Sequence, residues 1–211
     1  MKTILAYGDS LTWGCLPGMT GRHAFEDRWT TSLDGATGGK FRILAEGLNG
    51  RTTVFDDFSV AADRNGARVL PTILATHAPL DLVILMLGTN DLKPFLSGSA
   101  YAAAGGMGRL VQLVRHYGMT EKAETPAILI VSPPHIAATD NPAMRGMDAL
   151  IEESHQLGPL YRAVAEQNGC AFFDAASAVH VSAVDGVHMD AANSRILGEA
   201  LAPIVTKLLT P

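Results

Sequence analysis

The sequence is poor in cysteine, in clustered positive charge and in long apolar stretches. Its two cysteines, Cys15 and Cys170, are too few and too far apart for a disulfide framework or a zinc site, and read as free thiols. No basic run occurs and the formal net charge is −5, so nothing attracts nucleic acid or an anionic membrane surface. No stretch approaches the roughly eighteen uninterrupted apolar residues of a membrane span. The opening MKTILAYGDS reaches an aspartate after about five apolar residues, too soon for the core of an export signal. A cytoplasmic protein is expected. Linkers, repeats and low-complexity tracts are also missing. With 211 residues, 47% of them hydrophobic, the chain suffices for one domain over 1–211 with a full core.

What is present is an alternation of strand-length apolar runs and helix-spaced segments. The runs are TILAY (3–7), FRILAE (41–46), LDLVILML (80–87), AILIVS (127–132) and AFFDA (171–175). The third and fourth are almost unbroken Val, Ile and Leu, the mark of parallel strands covered on both faces. Helical spacing occupies 66–77, 100–118, 149–169 and 190–209. Met107, Leu110, Val111 and Val114 fall on one face of the second of these. Pro71 fits most easily in the first turn of its helix, Gly169 ends another, and Asp190 is placed to cap the last. This order predicts an α/β fold, a three-layer α/β/α sandwich around a central five-stranded parallel sheet, flavodoxin-like in kind. The longest irregular stretches, 14–27, 49–65, 88–99 and 133–148, follow strand ends. Ligands of open α/β sheets bind at such ends.

Four short motifs lie at those ends: GDSL at 8–11, EGLNGRTT at 46–53, GTND at 88–91 and DGVH at 185–188. Singly, each is ordinary turn or cap chemistry. Taken in this order they resemble the four blocks of the SGNH hydrolases, the GDSL esterase family. The stretches GDSLTWG, EGLNGRTT, APLDLVILMLGTND and DGVH are most similar to its bacterial arylesterase and acyltransferase branch. The likeness runs from residue 4 to about 209.

The resemblance implies Ser10 as nucleophile, with Asp185 and His188 completing a triad. It also implies an oxyanion hole built from the backbone N–H groups of Ser10 and Gly50 and the side-chain amide of Asn90. Asn49 stands where many relatives carry serine. The chemistry agrees. A serine hydroxyl needs an adjacent base, and histidine takes and returns a proton near neutrality. An apparent pKa of about 6 to 7.5 is expected for activity. The i, i+3 spacing of Asp185 and His188 lets one turn present both side chains to one cleft. No Gly-x-Ser-x-Gly elbow occurs.

Trp13 and His135 are further candidates for the substrate pocket. Asp9 reads as a loop anchor or cap rather than an acid. Arg51 is expected to pair with Asp56 or Asp57. His23, His77, His116, His155 and His180 have no partner motif, and no residue spacing suggests a metal or a cofactor. The resemblance further implies a small ester substrate, with short acyl and aryl groups, and a homo-oligomer. For the latter, Ile136, Met144 and Met147 place apolar surface on the 133–148 loop. Acyl transfer to alcohols is an implied side activity. A carbohydrate acetylesterase or a thioesterase uses the same triad and stays open. A non-catalytic flavodoxin-like binding module also stays open, although no phosphate-cradling glycine loop occurs.

Overall fold

Strand β1 (Lys2–Gly8) is the second strand of the sheet, buried from Ile4 to Gly8. Its period-2 alternation sends Leu5 and Tyr7 to one face and Ile4 and Ala6 to the other, so both faces must be covered. The computed structural model describes residues 1–120, 124–142 and 148–210. Strands β2 (Phe41–Gly47), β3 (Leu82–Met86), β4 (Ala127–Ser132) and β5 (Ala171–Asp174) complete a five-stranded sheet in the order β2-β1-β3-β4-β5. All neighbours pair in parallel. This is the flavodoxin-like order, and the fold class read from the sequence holds. Every residue of β3 is buried, whereas β2 and β5 at the edges are mostly half-buried.

Helices α3 (Gly66–His77), α4 (Ala100–Thr120) and α5 (Asp148–Gln167) cover one face. Met107, Leu110, Val111 and Val114 of α4 are fully buried, as their spacing requires. Burying each such side chain contributes about 1.5–3 kcal/mol before entropy is counted. The other face takes α6 (Ala191–Leu209) and α2 (Trp29–Ala36). Asp190 caps α6, its carboxylate accepting the Asn193 N–H at 2.8 Å.

Two expectations are corrected. Helix α2 has no counterpart in the sequence reading, because Thr30, Thr31, Ser32 and Gly35 give it poor intrinsic propensity. It forms because Trp29 and Leu33 bury against α6. Pro71 lies at the sixth residue of α3 rather than in its first turn, so the helix carries a proline past the four N–H groups left free at its start.

The order of the sheet reverses between β1 and β3, which opens a crevice at their carboxyl ends. Short helix α1 (Ser10–Trp13) leaves β1 there, and the tight turn Asn90–Leu92 follows β3. The segment preceding α6 returns to the same place.

Candidate active site

Ser10 is the first residue of α1, directly after β1. Asp9 caps this helix, its Oδ1 accepting the Leu11 N–H at 2.9 Å. The Ser10 side chain is thus held by a buried strand behind it and a capped turn ahead.

His188 lies 178 positions away in sequence, and its Nε2 is 3.0 Å from Ser10 Oγ. Its Nδ1 is 2.7 Å from Asp185 Oδ2. The Asp185 Oδ1 accepts the N–H groups of Val187 at 3.0 Å and His188 at 2.9 Å, and Oδ2 also accepts that of Gly18 at 2.6 Å. The turn needs Gly186. Its φ is +70°, and a Cβ would lie 2.1 Å from the Ala137 carbonyl oxygen.

Burial pushes the Asp185 carboxyl up, but the hydrogen bonds from His188, Val187 and Gly18 outweigh it and hold the group well below the carboxylate range. Burial pulls the His188 imidazole down. The Asp185 hydrogen bond and the neighbouring Cys15 thiol outweigh that and raise it above its ordinary value. An ionised Asp185 fixes the tautomer. Nδ1 carries the proton, and Nε2 offers a lone pair to the Ser10 O–H.

The loop after β2 is clamped from two sides. Below, Arg51 is buried, and its Nη1 donates to the Gly8 carbonyl at 2.8 Å and to that of Glu46. Above, Arg64 covers Gly50, donating from Nε to the Asn49 carbonyl at 3.0 Å and from Nη1 to Asp57 at 2.6 Å. Gly50 has φ +81°, and a Cβ there would sit 2.4 Å from the Arg64 guanidinium. Among the described residues no acceptor takes the Gly50 N–H, nor that of Ser10. Asn90 joins this loop to β3, its Nδ2 reaching the Arg51 carbonyl at 3.1 Å and Asp9 Oδ2 at 3.3 Å. Asp91 next to it accepts the Thr53 N–H at 3.1 Å and the Thr53 hydroxyl.

Burial pushes Asp9 up to about 6, against the pull of the Leu11 N–H. It pushes Asp91 up to about 7, against the two Thr53 donors. These carboxyls hold loops together; neither borders the cavity.

A cavity of about 510 Å³ opens above Ser10, a size that accommodates a small molecule. Ser10, Gly50, Asn90, Asp185 and His188 line it, and so does Trp13, over which Arg22 stacks at 4.8 Å. His135 does not. Its ring lies 3.9 Å from that of His155, and the next residue, Ile136, forms the wall instead. Ile136 is accordingly buried rather than presented on a loop surface, while Met144 and Met147 fall outside the described residues. Arg51 pairs with neither Asp56 nor Asp57. Those carboxylates engage Arg68 and Arg64, respectively. Cys15 also lines the cavity, as do Arg64, Thr89, Lys93 and Phe95, for which the sequence alone suggested no pocket role. Thr89 lies within the GTND block and Lys93 two residues beyond it, both within reach of its signal; Arg64 carried none.

Among the described residues no group of three or more His, Cys, Asp or Glu side chains is placed to hold a metal ion. None of the described helices is long and apolar enough to cross a membrane.

A hydroxyl, an imidazole and a carboxylate in hydrogen-bonded series at the switch point of a parallel sheet are the parts of a serine hydrolase. Residues 6–196 match the GDSL-like lipase/acylhydrolase family, and the chain belongs to it. It is an esterase of that family.

Solved structures agree over the full chain. A carbohydrate acetylesterase family member from Sinorhizobium meliloti is 52% identical, with a TM-score of 0.96 over 100% of both chains. The inhibitor-bound aryl esterase of M. smegmatis is 41% identical, with a TM-score of 0.93 over 99% of this chain and 100% of that one. A second S. meliloti carbohydrate acetylesterase is 38% identical, with a TM-score of 0.93 over 99% and 100%. No curated protein matches the chain.

Proposed function

We propose that the chain acts as one domain that hydrolyses esters of short carboxylic acids, aryl acetates among them, through an acyl-enzyme on Ser10. The observation that carries this reading is the series Ser10 Oγ to His188 Nε2 at 3.0 Å and His188 Nδ1 to Asp185 at 2.7 Å. In the first step Oγ attacks the ester carbonyl carbon while its proton passes to Nε2. The carbonyl oxygen becomes an oxyanion facing the N–H groups of Ser10 and Gly50 and the amide of Asn90. The tetrahedral species collapses, and the leaving alcohol takes the proton from His188. Water, deprotonated by the same Nε2, then attacks the acyl carbon and releases the acid and free Ser10.

The relatives support a small acyl group. The carbohydrate acetylesterases name an acetyl group, and the aryl esterase names an aryl ester. Trp13 and Phe95 on the cavity lining favour an aryl alcohol, on which an aromatic side chain can stack. The 52% identity to a carbohydrate acetylesterase family member favours an acetylated sugar as the second reading. Rates on p-nitrophenyl esters of increasing acyl length, beside rates on peracetylated cellobiose, decide between them. A marked preference for the sugar acetate replaces the first reading with the second.

Transfer of the acyl group to alcohols is a minor branch of the same reaction, since the acyl-enzyme reacts with whichever nucleophile reaches it. Vinyl acetate with benzyl alcohol tests it, and benzyl acetate at the enzyme-free level removes it. Self-association draws support from Phe58, 85% exposed, and from Phe95, 68% exposed on the cavity lining. A single 22 kDa species in sedimentation removes that proposal.

A further inference from the structure

Lys93 sits three residues after Asn90, in the segment that leaves β3, and lines the same cavity as Ser10. Lysine ordinarily extends its ammonium into water. This one is half-buried, with Nζ 5.9 Å from the centre of the Phe95 ring. Among the described residues no carboxylate lies within 4.0 Å of it, and no acceptor is hydrogen-bonded to it. Burial and the neighbouring Arg64 pull its pKa down, and the pull of the Asp57, Asp9 and Asp91 carboxylates, none of them in contact with it, does not make up the difference.

The other charges around the cavity are committed. Arg64 holds Asp57 at 2.6 Å, Arg51 holds backbone carbonyls, and Asp185 holds His188. Thr89, on the other side of Asn90, is only 8% exposed, and its Oγ1 has no hydrogen-bond partner. Asn49 Oδ1, across the oxyanion loop, is buried and likewise unpartnered. All three side chains line the cavity. Unpaired polar groups cost stability where water is excluded; an acceptor that takes the two donors, Lys93 and Thr89, recovers their share of that cost, while the Asn49 carbonyl oxygen needs a donor instead.

Resting on the esterase reading above, we propose that Lys93 and Thr89 form a subsite for a carboxylate carried by the ester substrate itself. One ammonium and one hydroxyl match a monoanion with two oxygens, and a dianionic phosphate would leave charge uncompensated. Charge-assisted contacts of this kind are short and strong. The chain as a whole carries a net charge of −5, so any preference for anionic esters arises locally rather than from general attraction. The carboxylate belongs to the acyl part, as in a half-ester of a short dicarboxylic acid, or to the alcohol part, as in an acyloxybenzoate.

The test compares kcat/KM for matched charged and neutral esters in two arms. The acyl arm uses p-nitrophenyl hydrogen glutarate against p-nitrophenyl valerate. The alcohol arm uses 4-acetoxybenzoate against its methyl ester. In the arm that fits, the charged-to-neutral ratio exceeds one in the native protein and falls about tenfold or more in Lys93→Gln and Lys93→Met. Thr89→Val lowers it by a smaller factor. Lys207→Gln, which removes the same charge in the last turn of α6, leaves the ratio where it was. The ratio also shrinks as salt rises.

A ratio of one or less in both arms overturns the subsite, and so does a ratio unchanged in both Lys93 variants. Neutral esters hydrolysed in a Ser10-dependent way beside either result leave the esterase reading standing. Absence of any hydrolysis overturns both.

Discussion

The Arg51 guanidinium carbon lies 4.2 Å from the centre of the Tyr7 ring, while Nη1 donates to the Gly8 carbonyl at 2.8 Å. One buried cation therefore ties the end of β1, which leads into Ser10, to the loop that carries Gly50. The planar group both stacks and donates, which an ammonium cannot do in the same place. Replacing it leaves the Gly8 and Glu46 carbonyls without that donor. Arg51→Met is expected to cost about 2–4 kcal/mol in denaturant unfolding, and Arg51→Lys is expected to recover less than half of it. A loss under about 1 kcal/mol in Arg51→Met would remove Arg51 as the anchor of this loop.

The pH profile follows from the sign of the His188 shift. Its pKa is raised above the ordinary 6.5, and only the neutral ring accepts the Ser10 proton, so kcat/KM climbs with pH through a midpoint above 6.5. With the ring raised to about 9, the midpoint lies above the 6 to 7.5 that the sequence alone suggests. Asp185→Asn removes the largest cause of the rise and leaves only the Cys15 contact against burial, so the midpoint falls relative to the native protein. The same change lowers kcat by on the order of 10⁴, because an amide no longer fixes the Nδ1–H tautomer. Rates from pH 5 to 10 for both proteins check this. A native midpoint at or below 6.5 contradicts it.

Asn90 is the meeting point of β1, the Gly50 loop and β3. Asn90→Ala is expected to lower kcat by about 10²–10³ with little change in KM, the pattern of a donor that acts on the developing oxyanion. A change confined to KM assigns Asn90 to substrate binding instead.

Gly198 of α6 supports the fold where α2 crosses it, since a Cβ there would lie 2.2 Å from the Trp29 carbonyl oxygen. Alanine is the better helix former, yet Gly198→Ala is expected to destabilise by about 1–3 kcal/mol through this clash. A thermal midpoint equal to or above that of the native chain would show that α2 shifts freely on α6.

The legible parts of the molecule are those decided by local pattern. Strands β3 and β4 announce themselves by unbroken apolar runs, and α4 by the spacing of Met107, Leu110, Val111 and Val114. Residues Ser10, Gly50, Asn90, Asp185 and His188 were legible through the resemblance of their four motifs, taken in order, to the blocks of the family; position at strand ends alone marks them only as turn or cap residues. Contacts made at a distance were not legible. Helix α2 depends on Trp29 meeting α6, and Arg64 reaches Gly50 by a loop whose path is set by Asp57 and Asn49. The exchange of His135 for Ile136 on the cavity wall has a simple cause. His135 packs on His155 while Ile136 turns to the cavity, and sequence does not say which of two neighbours faces in.

Ser10 as the nucleophile is the centre of this account, and stoichiometric labelling tests it most directly. The native protein is incubated with a dialkyl fluorophosphate, and the modified peptide is located by mass spectrometry beside residual activity on p-nitrophenyl acetate. One phosphoryl group per chain on Ser10, with activity lost in step and no label on a folded Ser10→Ala protein, is the expected result. Label on another residue, or Ser10→Ala activity within about tenfold of native, would contradict the account, since loss of such a nucleophile costs on the order of 10⁴ or more.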